Sequence, residues 1–339
     1  MSETAAAGQA EIGPIVDAHQ HFWDLVRHRY PWLQDEPPPP FRYGNTRSLR
    51  RNYLPAHYRR DCAGVTVAAT VHVEAEWDPE DPAGEQRWLA ALKARSGLPS
   101  VSVAQARLDR EDVAEVLGAA AKLRIVRGVR HKPRVAPSAA RVRRGGPGSI
   151  DDPHWRAGFA MLAQYGFSFD LQVPFWHAEA VRELALDFPE TSIIINHAFL
   201  PADRRPDGLK AWRDALEKVA AEPNVALKIS GLGQAGGKWD AATNRTVIRD
   251  AIEIFGAGRT MFASNYPVDR LVASFRTIYE GFQAAVADRP AAEQRALFHD
   301  NAVRIYRMGA DRAPHPPVST GPDVVAARAV AAAKVEAIS

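Results

Sequence analysis

The chain has 339 residues, 46% of them hydrophobic and 24% charged, with a formal net charge of +3, which is the composition of a globular protein with one large α/β domain or two ordinary ones. The scattered arginines, apart from RSLRR at 47–51 and RVRR at 141–144, argue against a nucleic-acid partner, and no stretch approaches the roughly 18 uninterrupted apolar residues of a membrane span. The single cysteine, Cys62, excludes an internal disulfide and fits a reducing compartment; since Met1 to Gly13 lacks a secretion-signal pattern, the expected location is the cytoplasm.

The first predicted element, IVDAHQHFWD over Ile15 to Asp24, is a short apolar run with His19 and His21 two residues apart. Strand alternation puts Asp17, His19 and His21 on one face and Val16, Ala18 and Phe22 on the other. Two imidazoles so spaced converge on one divalent ion, polarise a substrate oxygen, or are a hydrogen-bonded pair with no ligand. Next comes PWLQDEPPPPFRYGNTR, whose prolines at 37–40 forbid a helix. This loop leaves the strand end that bears the histidines and is expected to form a pocket wall or lid.

Seven more apolar or alternating runs follow, at 65–73, 99–106, 125–131, 167–173, 191–196, 224–229 and 259–264. Between most of them lie segments with helical spacing, such as EQRWLAALKARS, AEAVRELALDF and RTVIRDAIEIFG. Eight strands alternating with helices predict an α/β fold, a (β/α)8 TIM barrel over 15–308, with helices near 271–287 and 291–308 completing it. An open doubly wound sheet is the rival, but its G-x-G-x-x-G is missing after the first strand. Residues 1–14 are expected to be a flexible N-terminus. Residues 309–339 form a C-terminal tail whose Ala-rich end has a helical pattern, suited to packing on the barrel or on a second subunit of a homo-oligomer.

In such barrels the active site lies at the C-terminal strand ends. The polar residues predicted there are His19, His21, His72, Glu74, Arg130, His131, Asp170, Gln172, Asn196, His197, Lys228, Ser230, Ser264, Asn265 and Asp269. Turn chemistry accounts for Asn196, Ser230 and Ser264 singly, and a barrel carboxylate accounts for Arg130. Neither explains polar residues at most strand ends at once.

The ordered set DAHQHFWD, YPWL, VHVEAEWDPEDPAGEQRWL, VRGVRH, NHAFLP, KISGLG and FASNYPVD, spanning about Ile15 to Met308, resembles the lactonase-like branch of the amidohydrolase superfamily. The resemblance implies a (β/α)8 hydrolase opening a small lactone derived from a sugar acid or from aromatic breakdown. It further implies that His19, His21 and His197 hold a metal, zinc or manganese. Strand eight departs from the pattern: where much of the family reads Gly-Ser-Asp-x-Pro, this chain reads Ser264-Asn265-Tyr266-Pro267. An amide neither takes a proton at neutral pH nor matches a carboxylate as a metal ligand. The proton-transfer role therefore moves to Asp269, Glu74 or Asp170, the histidines act without a metal, or activity is lost.

Lactone hydrolysis needs an electrophile on the carbonyl oxygen, an activated water and a donor to the leaving alkoxide. The expected electrophile is the His19/His21/His197 cluster, with or without a divalent ion, and Asn265 orients the water. Arg130, His131, Gln172 and Lys228 are expected to hold an anionic or polyhydroxylated small-molecule substrate, with Trp23 and Tyr266 walling the pocket. A metal-dependent decarboxylase of aromatic acids is the first alternative, against which Asn265 argues, and a non-catalytic barrel binding a small acid is the second.

Overall fold

The computed structural model describes residues 13–234, 236 and 239–309. Eight parallel strands pair in sequence order: β1 (Ile15–Gln20), β2 (Val67–Val73), β3 (Val101–Gln105), β4 (Val126–Arg130), β5 (Ser168–Leu171), β6 (Ile193–Ile195), β7 (Val225–Ile229) and β8 (Thr260–Phe262). The ring closes just beyond the strand ends. Gln20 bridges to Tyr266, His21 N donates to Tyr266 O at 2.7 Å, and Asn265 N donates to His19 O at 2.8 Å. Asp17 fastens the same seam by accepting from Ser264 N at 2.8 Å and Ser264 Oγ at 2.6 Å. The expected (β/α)8 barrel is therefore present.

The helices are α1 (Pro31–Gln34), which lies at the barrel mouth, α2 (Pro55–Asp61), α3 (Gly84–Ser96), α4 (Val113–Ala121), α5 (Pro153–Ala160), α6 (Ala178–Asp187), α7 (Pro206–Ala220), α8 (Ala241–Phe255), α9 (Phe275–Val286), α10 (Ala291–Arg295) and α11 (Asn301–Ile305), which packs against the interior cluster. Side-chain caps set several starts. Asp152, Asp240 and Ser274 each accept a backbone N–H from the first turn of α5, α8 and α9. The Ser274 cap makes α9 begin later than the expected 271. The helix expected over 291–308 is interrupted by a π turn at Ala296–Asp300 and ends at Ile305. The expected flexible N-terminus and helical tail lie outside the described residues, except Gly13, Pro14 and Gly309. Among the described residues no helix is long and apolar enough to cross a membrane.

Val16, Ala18, Val71, Val73, Ile194 and Ala226, from strands around the ring, meet in one buried cluster, as only side chains facing the barrel interior can. The interior also holds charge. Lys228 ion-pairs with Asp170, which also accepts from Tyr306 Oη at 2.9 Å and Asn196 Nδ2 at 2.9 Å, and all four are buried. A buried pair persists only when its remaining donors and acceptors are satisfied in this way. The pairing of β1 with β2 is irregular between Asp17 and Gln20, which breaks the two-residue alternation. As a result Asp17 does not share a face with the histidines, as alternation predicted. Its carboxylate turns to Tyr58 of α2, whose Oη donates at 2.8 Å, and to Ser264.

Candidate active site

A cavity of about 300 Å³ sits at the C-terminal strand ends, at the small end of the range for small-molecule sites. His21, Arg130, Gln172, His197 and Asn265 line it from the barrel, and Pro39, Pro40, Phe41 and Arg42 line it from the proline-rich loop. A larger cleft of about 820 Å³ adjoins it and shares Trp32, Glu76, Arg130 and Lys132. His19 is fully buried and packs against both neighbouring imidazoles, with ring centroids 4.9 Å from His21 and 4.8 Å from His197.

Local backbone strain positions these rings. His197 opens a run of four non-glycine residues, through Leu200, with φ of 56°, 50°, 63° and 56°. Each left-handed residue costs roughly 1–2 kcal/mol and persists only where its surroundings over-determine it. Here Trp212 of α7 donates Nε1 to Ala198 O at 2.7 Å, and Leu200 N donates to His197 O at 2.9 Å. Asn265 also has positive φ, at 55°. Gly231 has φ of 60°, and a Cβ on it would lie 2.7 Å from His197 Nδ1 and 2.5 Å from Arg42 Nη2. Only glycine admits both groups so close to the β7 end.

Burial, reinforced by neighbouring positive charge, lowers His19, His21 and His197 well below the usual imidazole value, so all three are neutral at pH 7. The Lys228 charge adds to burial at His19, Arg130 at His21 and Arg42 at His197. His21 Nδ1 donates to Val73 O at 2.8 Å, leaving Nε2 as a bare lone pair. That lone pair stands 3.4 Å from Asn265 Oδ1. The amide orientation follows from its other end, because Nδ2 donates at 2.6 Å to Asp269 Oδ1, which also accepts from Tyr43 Oη at 3.0 Å. Burial pushes the Asp269 carboxyl up to about 6, against the lowering effects of Arg42 and of the Asn265 and Tyr43 hydrogen bonds. Among the described residues its Oδ2 is buried with no side-chain partner.

The donor set fits a divalent ion in kind and in protonation. Both His19 nitrogens are buried with no hydrogen-bond partner among the described residues, a costly state for an imidazole, and two acceptors, His21 Nε2 and Asn265 Oδ1, face each other. His197 Nδ1 is 2.9 Å from Ser230 Oγ, the kind of outer contact that orients a ligating ring. Among the described residues no three His, Cys, Asp or Glu side chains are gathered as a metal-binding group. The fit is therefore one of donor chemistry and not of closed coordination geometry.

The other expected residues divide. Glu74 is buried and accepts from Arg130 Nε at 2.5 Å, and Arg130 Nη1 donates to Gln172 Oε1 at 3.3 Å. Burial opposes ionisation of Glu74, but the charges of Arg130 and Lys132 outweigh it and hold its pKa below the usual carboxylate value. His131 lies on the adjoining cleft, its Nδ1 accepting from Trp155 Nε1 at 2.9 Å. His72 is bound between Phe22 N and Glu85. Lys228 and Asp170 satisfy each other beneath the cavity. Trp23 and Tyr266 are buried and do not line it; Trp23 Nε1 donates to Arg51 O at 2.7 Å and Tyr266 Oη to Ala273 O at 2.7 Å. Sequence reasoning missed Arg42, Tyr43 and Gly231. The signal for the first two was their place directly after the proline run, in the loop already expected to wall the pocket.

Neutral histidines, a buried carboxylate and two arginines thus gather at the C-terminal face of a parallel barrel, where (β/α)8 enzymes carry their active sites. A sequence model of the amidohydrolase family matches residues 16–308, and the chain belongs to that family, in its lactonase-like branch. It is 37% identical over 294 residues to the uncharacterized protein y4mH of Sinorhizobium fredii, covering 87% of this chain and 98% of that one. It is 29% identical over 302 residues to the L-fucono-1,5-lactonase of Burkholderia ambifaria, covering 86% and 95%. Among solved structures it resembles an amidohydrolase from Burkholderia multivorans with bound zinc, with TM-score 0.71, 28% identity and coverage of 87% and 99%.

Proposed function

We propose that this hydrolase opens a small lactone by attack of water on the ester carbonyl. The similarity to L-fucono-1,5-lactonase over nearly the whole of both chains supports the reaction class. The observation that carries the mechanism is the facing pair of acceptors, His21 Nε2 and Asn265 Oδ1. With Nδ1–H given to Val73, neutral His21 has no proton to offer a carbonyl oxygen, so this ring acts as a lone-pair donor and suits a metal ligand better than a direct electrophile.

His19, His21 and His197 would hold a divalent ion such as zinc or manganese, which would supply electrophilic pull on the carbonyl oxygen and acidify water. Asp269 takes the water proton at Oδ2, the oxygen that Asn265 and Tyr43 leave free, and at pH 7 is mostly ionised because its pKa lies near 6. Asn265 holds Asp269 Oδ1 through Nδ2 and aims Oδ1 at the water. The proton then passes to the ring oxygen as the acyl–oxygen bond breaks, giving the open hydroxy acid. Arg130, with Gln172 and Glu74, fixes the wall against which the ring packs.

The test is acid release from a panel of sugar and aromatic-pathway lactones, run beside carbon dioxide release from aromatic acids. Ring opening without decarboxylation is expected. Carbon dioxide release with no lactone opening would overturn the proposal.

A further inference from the structure

The cleft of about 820 Å³ beside the catalytic cavity runs over the ends of β2, β3 and β4, and the proposed ring opening does not use it. Trp32 lines both spaces, fixed by donation of Nε1 to Ala75 O at 2.8 Å and by stacking on Phe41 with ring centroids 6.0 Å apart. His131 follows Arg130, which also lines both, and lies on the cleft. Its Nδ1 accepts two N–H groups, Trp155 Nε1 at 2.9 Å and Leu108 N at 3.1 Å, and burial lowers the ring's pKa to about 4. The neutral ring therefore carries its proton on Nε2. That nitrogen lies 3.9 Å from Asp109 Oδ1, beyond hydrogen-bond reach, and among the described residues Oδ1 is buried with no hydrogen-bond partner. A donor and an acceptor held so far apart fit a hydroxyl between them, which accepts from the first and donates to the second. Gln105 Oε1, on a residue lining the same cleft, is likewise a buried acceptor with no partner among the described residues.

Charge along the cleft is matched, Arg107 with Asp109 at 3.4 Å, Lys132 with Glu76 and Arg130 with Glu74. Such a lining suits a neutral, hydroxyl-rich group, whereas a hydrocarbon chain would desolvate these side chains and replace none of their bonds. We propose that the cleft is a second sugar subsite, and that the preferred substrate is an aldonolactone bearing a glycosyl substituent. Its lactone ring occupies the catalytic cavity, and its second ring packs on Trp32 with a hydroxyl between His131 Nε2 and Asp109 Oδ1. Water opens the lactone and the glycosidic bond stays intact, so the product is the disaccharide acid. This rests on the lactonase reading above.

The test compares glucono-1,5-lactone with lactobiono-, cellobiono- and maltobiono-1,5-lactone, which share its lactone ring, each corrected for spontaneous opening. The wild-type holoenzyme is run beside Asp109→Ala and Asp109→Asn. In wild type at least one disaccharide lactone should exceed glucono-1,5-lactone in kcat/KM by roughly tenfold or more, mainly through KM. Asp109→Ala should cancel most of that preference, and Asp109→Asn, which keeps the size and an acceptor oxygen, should retain part of it. Calorimetry with gluconate and the acid of the favoured disaccharide gives a readout independent of turnover, and the tighter binding of the disaccharide acid should disappear in Asp109→Ala. A preference that survives both variants unchanged overturns the inference. Opening of monosaccharide lactones with no gain from a second ring defeats the inference alone, whereas no turnover of any lactone, here or on the wider panel above, defeats the lactonase reading beneath it.

Discussion

His21 Nε2 and Asn265 Oδ1 stand 3.4 Å apart, lone pair toward lone pair, each fixed by a bond at its far end: His21 Nδ1 to Val73 O at 2.8 Å, and Asn265 Nδ2 to Asp269 Oδ1 at 2.6 Å. Two acceptors so oriented repel until a cation or a proton donor joins them. Asn265→Leu removes one acceptor and the donor to Asp269. We expect it to reduce kcat by roughly a hundredfold or more. It should also raise the acid limb of the pH profile, because the Asn265 bond lowers the Asp269 pKa. Steady-state rates across pH read both effects.

Asp269 is the base in the proposed mechanism. With its pKa near 6, kcat/KM of the wild type should fall as pH drops through about 6, as the carboxylate takes up its proton. Asp269→Asn should reduce kcat roughly 10²- to 10⁴-fold and abolish that limb. A profile whose limb survives Asp269→Asn would assign it to another group.

The buried neutral imidazoles predict how stability depends on pH. His19, His21, His72 and His197 all have pKa values lowered by burial, against about 6.5 when unfolded. Below that value the unfolded chain binds more protons than the native one, so the stability these groups contribute is full above pH 6.5 and falls as pH drops. Each contributes a slope of up to about 1.4 kcal/mol per pH unit. Denaturant melts of apoprotein at pH 7 and pH 5 should differ sharply, and His19→Gln should flatten the dependence by about one proton.

Gly231→Ala tests the crowding at the end of β7. The added methyl meets both His197 and Arg42 and forces a residue with a Cβ to φ of 60°. A loss of roughly 1–2 kcal/mol in stability is expected. Activity should fall by a larger factor than that loss implies, measured as kcat/KM under conditions where the variant is fully folded.

The barrel was legible in the sequence because its strands and helices have different hydrophobic periods, and each of the eight apolar runs contains a strand. His19, His21 and His197 were legible for the same reason, as polar residues where apolar strands end. What alternation could not reveal was the irregular register between Asp17 and Gln20, which sends Asp17 toward Tyr58 instead of the site. Nor could it show that Lys228 and Asp170 face each other across the interior, since that depends on the relative stagger of strands 58 residues apart. Arg42 and Tyr43 lie in a loop without periodicity, and their place on the cavity depends on how a proline-rich segment folds back over the barrel mouth.

Whether the histidine cluster works through a bound ion decides the mechanism. The decisive measurement is lactone turnover against metal content in one preparation, as purified, after chelation, and after stepwise return of zinc or manganese, beside His19→Asn and His197→Asn. Turnover should fall with the metal and return in proportion to about one ion per chain, and both variants should lose ion and activity together. Full turnover in metal-free protein would contradict the mechanism.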